Sequence, residues 1–179
     1  MEHLNDPDTI RRAKAGDERA FGSLVDQYHA RCVRFAQQML LSAEDAEEAV
    51  QDAFVRVYDA LPRFDVTLRF EPWLFRILAN RCRTMRVRRR RHDAMVVFSD
   101  STPDIAVSAQ GEDAARQELW LLLDALPVEQ REAFLLHHVE GMGYEDMATV
   151  TGAGVSALKM RVKRACDVLR ARMLEANRA

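Results

Sequence analysis

Apolar positions in this chain recur at three- and four-residue steps. In "DERAFGSLVDQYHARCVRFAQQML", Phe21, Leu24, Val25, Tyr28, Cys32, Phe35, Ala36 and Met39 fall on one helical face. The turn "AGD" at 15–17 precedes it, with Asp17 placed as N-cap. "SAED" predicts a second helix, with Ser42 as cap and Asp45 at the third helical position. Its stripe is Ala46, Ala49, Val50, Ala53, Phe54, Val57 and Leu61, and Pro62 ends it. The opposite face of that helix is polar: Asp45, Glu48, Gln51, Asp52, Arg56 and Asp59. The pattern alone fits an ordinary solvated face.

"RFDVTLRFEP" at 63–72 reads as a loop, and Pro72 lies near the start of a third helix. Trp73, Leu74, Ile77, Leu78, Arg81 and Met85 follow at helical spacing. Strand alternation is absent, and "MVVF" at 95–98 is too short to found a sheet. Residues 92–114 lack Lys and Arg and have the composition of a linker. Beyond them, "LWLLLDAL" leads to Pro127, which opens a helix that Gly141 can end. A short helix over 144–150, a glycine-containing turn at 151–154 and a long helix from 155 make a helix-turn-helix pattern. Ala148, Val155, Leu158 and Val162 can pack its two helices together. The expected architecture is all-α, two small helical domains joined by an acidic linker: 1–91, then the linker 92–114, then 115–179.

Charge changes this picture more than composition does. The chain of 179 residues has a formal net charge of −2, but the charge is segregated. Residues 67–92 carry nine basic groups and one acidic; residues 152–179 carry seven and two. The remaining segments are acidic. Such blocks attract polyanions even when the total charge is near zero. No apolar run approaches a membrane span. The polar, acidic "MEHLNDPDT" is no secretory signal. Three scattered cysteines, Cys32, Cys82 and Cys166, fit reduced, helix-packing thiols in the cytoplasm.

The helix-turn-helix fits DNA binding, with Ser156, Lys159 and Arg161 in the first two turns of its second helix. A surface helix with scattered positive charge is the bland alternative. "EPWLFRILANRCRTMRVRRRRHD", 71–93, combines an aromatic start with eight arginines between Arg76 and Arg91. Arginines neutralise phosphates, and aromatic groups can stack on an unpaired base. A helix with both can grip DNA whose strands are opening; alternatively Trp73 and Phe75 are core and only the arginines touch DNA. An enzyme fits poorly. His137 and His138 are adjacent and so point to different helix faces, and neither an HExxH nor a CxxC spacing supports a metal.

Four motifs in order resemble the extracytoplasmic-function (ECF) sigma factors of the sigma-70 family: "AGDERAFGSLVDQYHARCVRFAQQML", "SAEDAEEAVQDAFVRVYDALPRFD", "FEPWLFRILANRCRTMRVRRRR" and the segment from "LDALPVEQREAF" to "CDVLRARM". The resemblance covers nearly the whole chain. It implies an alternative sigma factor that is no enzyme, needs no cofactor or metal, and directs bacterial core RNA polymerase to −10 and −35 promoter elements. It implies that Asp45, Glu48, Gln51, Asp52 and Arg56 meet the β′ clamp helices, with Leu61 and Phe64 structural. Trp73, Arg76, Asn80, Arg83 and Arg86 match positions that meet the −10 element or support that contact. Arg69 and Phe70 lie in the segment that captures a flipped base. Ser156, Lys159, Arg161 and Arg164 match the −35-reading helix, whose domain would rest on the β flap. The linker, with Asp93, Asp100 and Asp104, would thread toward the RNA exit channel. An anti-sigma factor is the implied regulatory partner. The chain departs from the family at Gly154, Ala157 and Met160, where a capping hydroxyl and two further hydroxyl contacts are usual; the −35 preference is therefore expected to differ. A stand-alone two-domain DNA-binding regulator is the competing reading, but it has no use for the 45–64 helix.

Overall fold

The computed structural model describes residues 7–96 and 120–176. These residues contain helices and no strand. Helix α1, Pro7–Lys14, is followed by a turn in which Gly16 takes φ +94°. Asp17 then caps α2, Glu18–Leu40, accepting from the backbone of Arg19 and Ala20. Those two bonds and the Arg12 guanidinium hold the Asp17 carboxyl below its usual range.

Helix α2 ends without glycine. Leu41 adopts the left-handed conformation at φ 58° and returns its N–H to the Gln37 carbonyl at 2.8 Å. Ser42 immediately caps α3, Ala43–Ala60, accepting from the Asp45 N–H at 3.2 Å. Leu41 and Ser42 alone reverse the chain, which fixes α3 beside α2. Pro62 converts the end of α3 into a single 3₁₀ turn, Leu61–Arg63.

Helix α4, Phe70–Val96, packs on both. Tyr28, Phe35, Val50, Val57, Leu74, Phe75 and Leu78 fill the space between them, all at most 1% exposed. Phe35 meets Phe75 edge to face at 5.4 Å. The helix runs five residues past the expected boundary at 91, because "HDAMV" holds no breaker. Asp100 and Asp104 of the expected linker lie outside the described residues.

Residues 120–124 are helical. Helix α5, Val128–Phe134, starts after Pro127 and widens into a π turn over Leu135–Val139. The Glu140 N–H reaches the Leu135 carbonyl at 2.9 Å, and Gly141 at φ +69° reverses the chain. Helix α6, Tyr144–Thr151, and helix α7, Val155–Ala176, form the helix-turn-helix. Gly152 supplies the left-handed residue between them at φ +73°. Met147, Val150, Leu158, Val162 and Ala165 close this second core with Leu136 and Ala133.

The two halves touch. Helix α6 lies along α4, and the π turn lies against α2.

Candidate nucleic-acid interface

Helix α4 buries one face and leaves arginines on the others. Phe75, Leu78, Ala79 and Cys82 are buried, while Arg76 and Asn80 are exposed. Trp73 is half-buried, tilted against Phe64 at 4.6 Å and Phe70 at 5.6 Å. It packs against the aromatic cluster and stays partly exposed. Phe70 lies deeper than a base-capturing residue in an open loop is expected to. It is 1% exposed and wedged among Tyr28, Phe64 and Trp73, so in this conformation it packs under the loop. Arg69 beside it is exposed. Leu61 and Phe64 are buried, as a structural role requires.

Arg83 and Arg86 also differ from a free phosphate-binding row. Arg83 is half-buried, bonded to Asn80 and 3.6 Å from Glu132. Arg86 turns inward, donating to the Met39 carbonyl at 3.0 Å and lying 3.4 Å from Asp124. Its side chain is 13% exposed.

The polar face of α3 is organised by α4. Arg81 bridges Glu48 at 2.8 Å and Asp52 at 2.9 Å; Asp52 also holds Arg56 at 2.8 Å, and Arg89 reaches Asp45 at 2.9 Å. Glu48, Gln51 and Arg56 remain exposed. Arg81 and Arg89 escaped the sequence reading, because their acids lie 33 and 44 residues away. The one available signal was an acidic stripe and an arginine-rich helix predicted next to each other.

In the helix-turn-helix, Ser156, Lys159 and Arg164 are exposed on α7. Lys159 stands over the Tyr144 ring at 5.6 Å. Arg161 is half-buried and lines a cleft with Arg83, Arg86, Thr151 and Gly152. Gly154 accepts the Leu158 N–H at 3.0 Å, so the second helix starts without a side-chain cap. His137 holds the Met142 carbonyl, and the described residues contain no cluster able to hold a metal ion. None of the described helices is long and apolar enough to cross a membrane.

Residues 24–92 match the family model for Sigma-70 region 2, and residues 116–169 match that for Sigma-70, region 4. The chain is 33% identical to the RNA polymerase sigma factor NccH of Alcaligenes xylosoxydans over 87% of each chain. The chain belongs to the sigma-70 family, in its ECF group. It is also 30% identical to the RNA polymerase sigma-H factor of Pseudomonas aeruginosa, covering 92% of this chain and 91% of that one. Among solved structures it resembles CnrH in complex with the cytosolic domain of CnrY, with a TM-score of 0.75, 28% identity and 96% and 97% of the two chains covered. It resembles RpoE in complex with the anti-sigma factor NepR, from Bartonella quintana, at a TM-score of 0.71 and 26% identity over 84% and 94%.

Within this sigma factor, region 2 holds α3 and most of α4, and region 4 holds the helix-turn-helix. The first basic block, 67–92, lies within region 2; the second, 152–179, begins within region 4 and runs past its matched end at 169.

Proposed function

We propose that this chain is an alternative sigma factor that joins core RNA polymerase and directs it to promoters through −10 and −35 contacts. The carrying observation is the order of parts on one chain: an exposed acidic helix face, then an arginine-rich helix, then a helix-turn-helix. The first has no use in a DNA-binding regulator that works alone.

In this reading, Asp45, Glu48, Gln51, Asp52 and Arg56 meet the polymerase clamp. Arg81 and Arg89 position the acids, since a carboxylate held between guanidiniums loses less rotamer freedom on binding. Arg76 and Asn80 are the exposed −10 contacts of α4, with Arg69 on the loop before it. Arg83 and Arg86 join them only after leaving their present partners. Phe70 shapes the loop. Ser156, Lys159 and Arg164 meet the −35 duplex, with Arg161 at their edge. Promoter opening is driven by binding energy that offsets lost base stacking. The chain supplies no chemistry of its own; the polymerase does that, in the cytoplasm.

The solved neighbours hold a cytosolic CnrY domain and the anti-sigma factor NepR. A regulatory partner of the same kind is assigned to this chain.

The test is a titration of labelled protein against bacterial core RNA polymerase, with a housekeeping sigma factor as competitor. Tight, competable binding that Glu48→Arg or Asp52→Arg weakens about tenfold or more is the expected result, for a charge-reversed contact in a desolvated interface. Folding of each variant is checked by thermal melting. Salt-sensitive binding to duplex DNA without binding to core would leave only a stand-alone regulator.

A further inference from the structure

The loop 64–69, between the 3₁₀ turn and α4, is held first by its own hydrogen bonds. The Phe64 N–H closes on the Leu61 carbonyl at 3.0 Å, and the Leu68 N–H closes on the Asp65 carbonyl at 3.0 Å. Asp65 folds its side chain over that turn, accepting from the Thr67 N–H at 2.9 Å and from the Thr67 hydroxyl at 2.8 Å. Those two bonds hold the Asp65 carboxyl below its usual range, and the charge of Lys14 adds to the effect. The Phe64 ring is buried against Trp73 and Phe70. Val66, Leu68 and Arg69 are left exposed at the tip.

One further anchor comes from far away in the sequence. Lys14, the last residue of α1, donates its ammonium to the Phe64 carbonyl at 2.7 Å, across 50 residues of chain. Helix α1 carries it there by burying Ile10 and Ala13 and by lying against α2 and the 3₁₀ turn. A lysine held in this way gives up rotamer freedom that a solvated one keeps, and a charged bond to a backbone oxygen offsets that loss. Phe64 is also where the loop and α4 meet. Its carbonyl leads into the Asp65 turn, and its ring lies 4.6 Å from that of Trp73. A shift of Phe64 would therefore move the loop tip and Trp73 together.

We propose that Lys14 is a positioning residue for promoter recognition: through the Phe64 carbonyl it fixes the shape in which the loop 64–69 receives an unpaired base of the −10 element. This rests on the reading of that loop as the base-capturing segment. A loop already in shape loses little freedom when the right base enters, and it does not remodel itself around a wrong one. Without the ammonium the loop adapts more easily, and the difference in affinity between bases shrinks. Direct pairing of Lys14 with a phosphate would leave another signature: uniform weakening across sequences and a shallower dependence of affinity on salt.

The experiment uses the full chain assembled with bacterial core RNA polymerase, and a labelled duplex whose bubble carries a randomised unpaired strand. Sequencing the retained DNA gives the base preference at each position; titrating one retained sequence at several salt concentrations gives the slope. Lys14→Met keeps the apolar stem and removes the donor. It is expected to lower the preference several-fold at one position, with the other positions and the salt slope unchanged. Lys14→Arg, which keeps a charged donor, is expected to restore most of it. Thr67→Val loosens the same turn from within and removes no positive charge. It should flatten the same position and add little when combined with Lys14→Met. Thermal melting checks each variant, and Lys14→Gln, a shorter neutral side chain, takes the place of Lys14→Met if that protein is poorly folded. Uniform weakening with a shallower salt slope overturns the proposal in favour of a phosphate contact. An unchanged preference in Lys14→Met, or a Lys14→Arg protein no better than Lys14→Met, overturns it too. The triple change Val66→Ala, Leu68→Ala and Arg69→Ala separates the two readings. If it leaves every preference intact, the loop reads no base, and the role of Lys14 falls with that reading. If it flattens a position that Lys14→Met leaves intact, the loop reads a base and only the positioning role falls.

Discussion

Arg86 and Arg131 donate to the same backbone oxygen. Arg86 comes from α4 and Arg131 from α5, and they reach the Met39 carbonyl at 3.0 and 3.2 Å. Met39 lies in the last turn of α2, where carbonyls lack helical partners and the helix dipole is negative. Asp124 completes the junction, 3.0 Å from Arg131 and 3.4 Å from Arg86. The end of one helix in the N-terminal half is therefore capped by arginines from both halves.

Arg131→Met tests the weight of that junction. The side chain of Arg131 is fully buried, so methionine fills much of its volume but donates nothing. Loss of charged hydrogen bonds in a buried site is expected to cost about 2–3 kcal/mol. Urea unfolding of variant and parent measures it, and a change below about 0.5 kcal/mol, the range of ordinary surface substitutions, would show that the junction is only incidental.

The cysteines give a sharper chemical prediction. Burial pushes the Cys32 and Cys82 thiols up to about 12, so both stay protonated and enclosed at pH 8. Cys166 is half-buried, with its sulfur 3.4 Å from His138 Nε2. One thiol is expected to react with a soluble disulfide reagent on folding-competent protein, and three in denaturant. Mass mapping should find the single early adduct on Cys166; rapid modification of Cys82 would mean that the α4 core opens readily.

What the sequence made legible was local. The caps at Asp17 and Ser42, the stop at Pro62 and the Gly152 turn all follow from backbone groups satisfied within a few residues, so their signals are contiguous. The helix-turn-helix was readable for the same reason. Phe70 was not, because an aromatic where a loop meets a helix looks alike whether it folds inward or outward; its burial depends on Tyr28, brought to it from a distant helix. Nor were the pairs Arg81 with Glu48 or Arg83 with Glu132. Each joins helices whose relative rotation is set by the whole core. The π turn, which carries Glu140 toward Arg31, has no sequence mark at all.

Phe70→Ala and Trp73→Ala should separate packing from DNA contact. Removing the buried Phe70 ring is expected to cost about 3–5 kcal/mol of stability. Trp73 is only half-buried, so its loss should cost less. If its exposed edge meets a base, Trp73→Ala additionally weakens binding to bubble DNA by about 1–3 kcal/mol. Equal losses of stability with no change in DNA binding at Trp73 would make both residues purely structural.

The last prediction concerns pH and follows from two buried acids. Burial raises the Glu132 pKa above its ordinary 4.5 against the opposing pull of Arg83 and Arg161, with Glu129 adding to the rise. Burial likewise raises Glu140, opposed by Arg31 and Arg34 and helped by Glu71. On unfolding, both carboxylates regain water and their ordinary values. The folded form therefore binds more protons than the unfolded one, and these two groups favour folding more as pH falls. Their contribution is complete below the ordinary value near 4.5 and is lost as pH rises through the raised, folded-state values. Glu132→Gln, which is neutral at every pH, is expected to be more stable than the parent near neutrality and to flatten the dependence between pH 7.5 and about 5. Urea unfolding of both proteins at the two pH values measures it. A parent protein that gains stability relative to Glu132→Gln as pH rises over that range would mean that the attraction of Arg83 outweighs the cost of burying its partner.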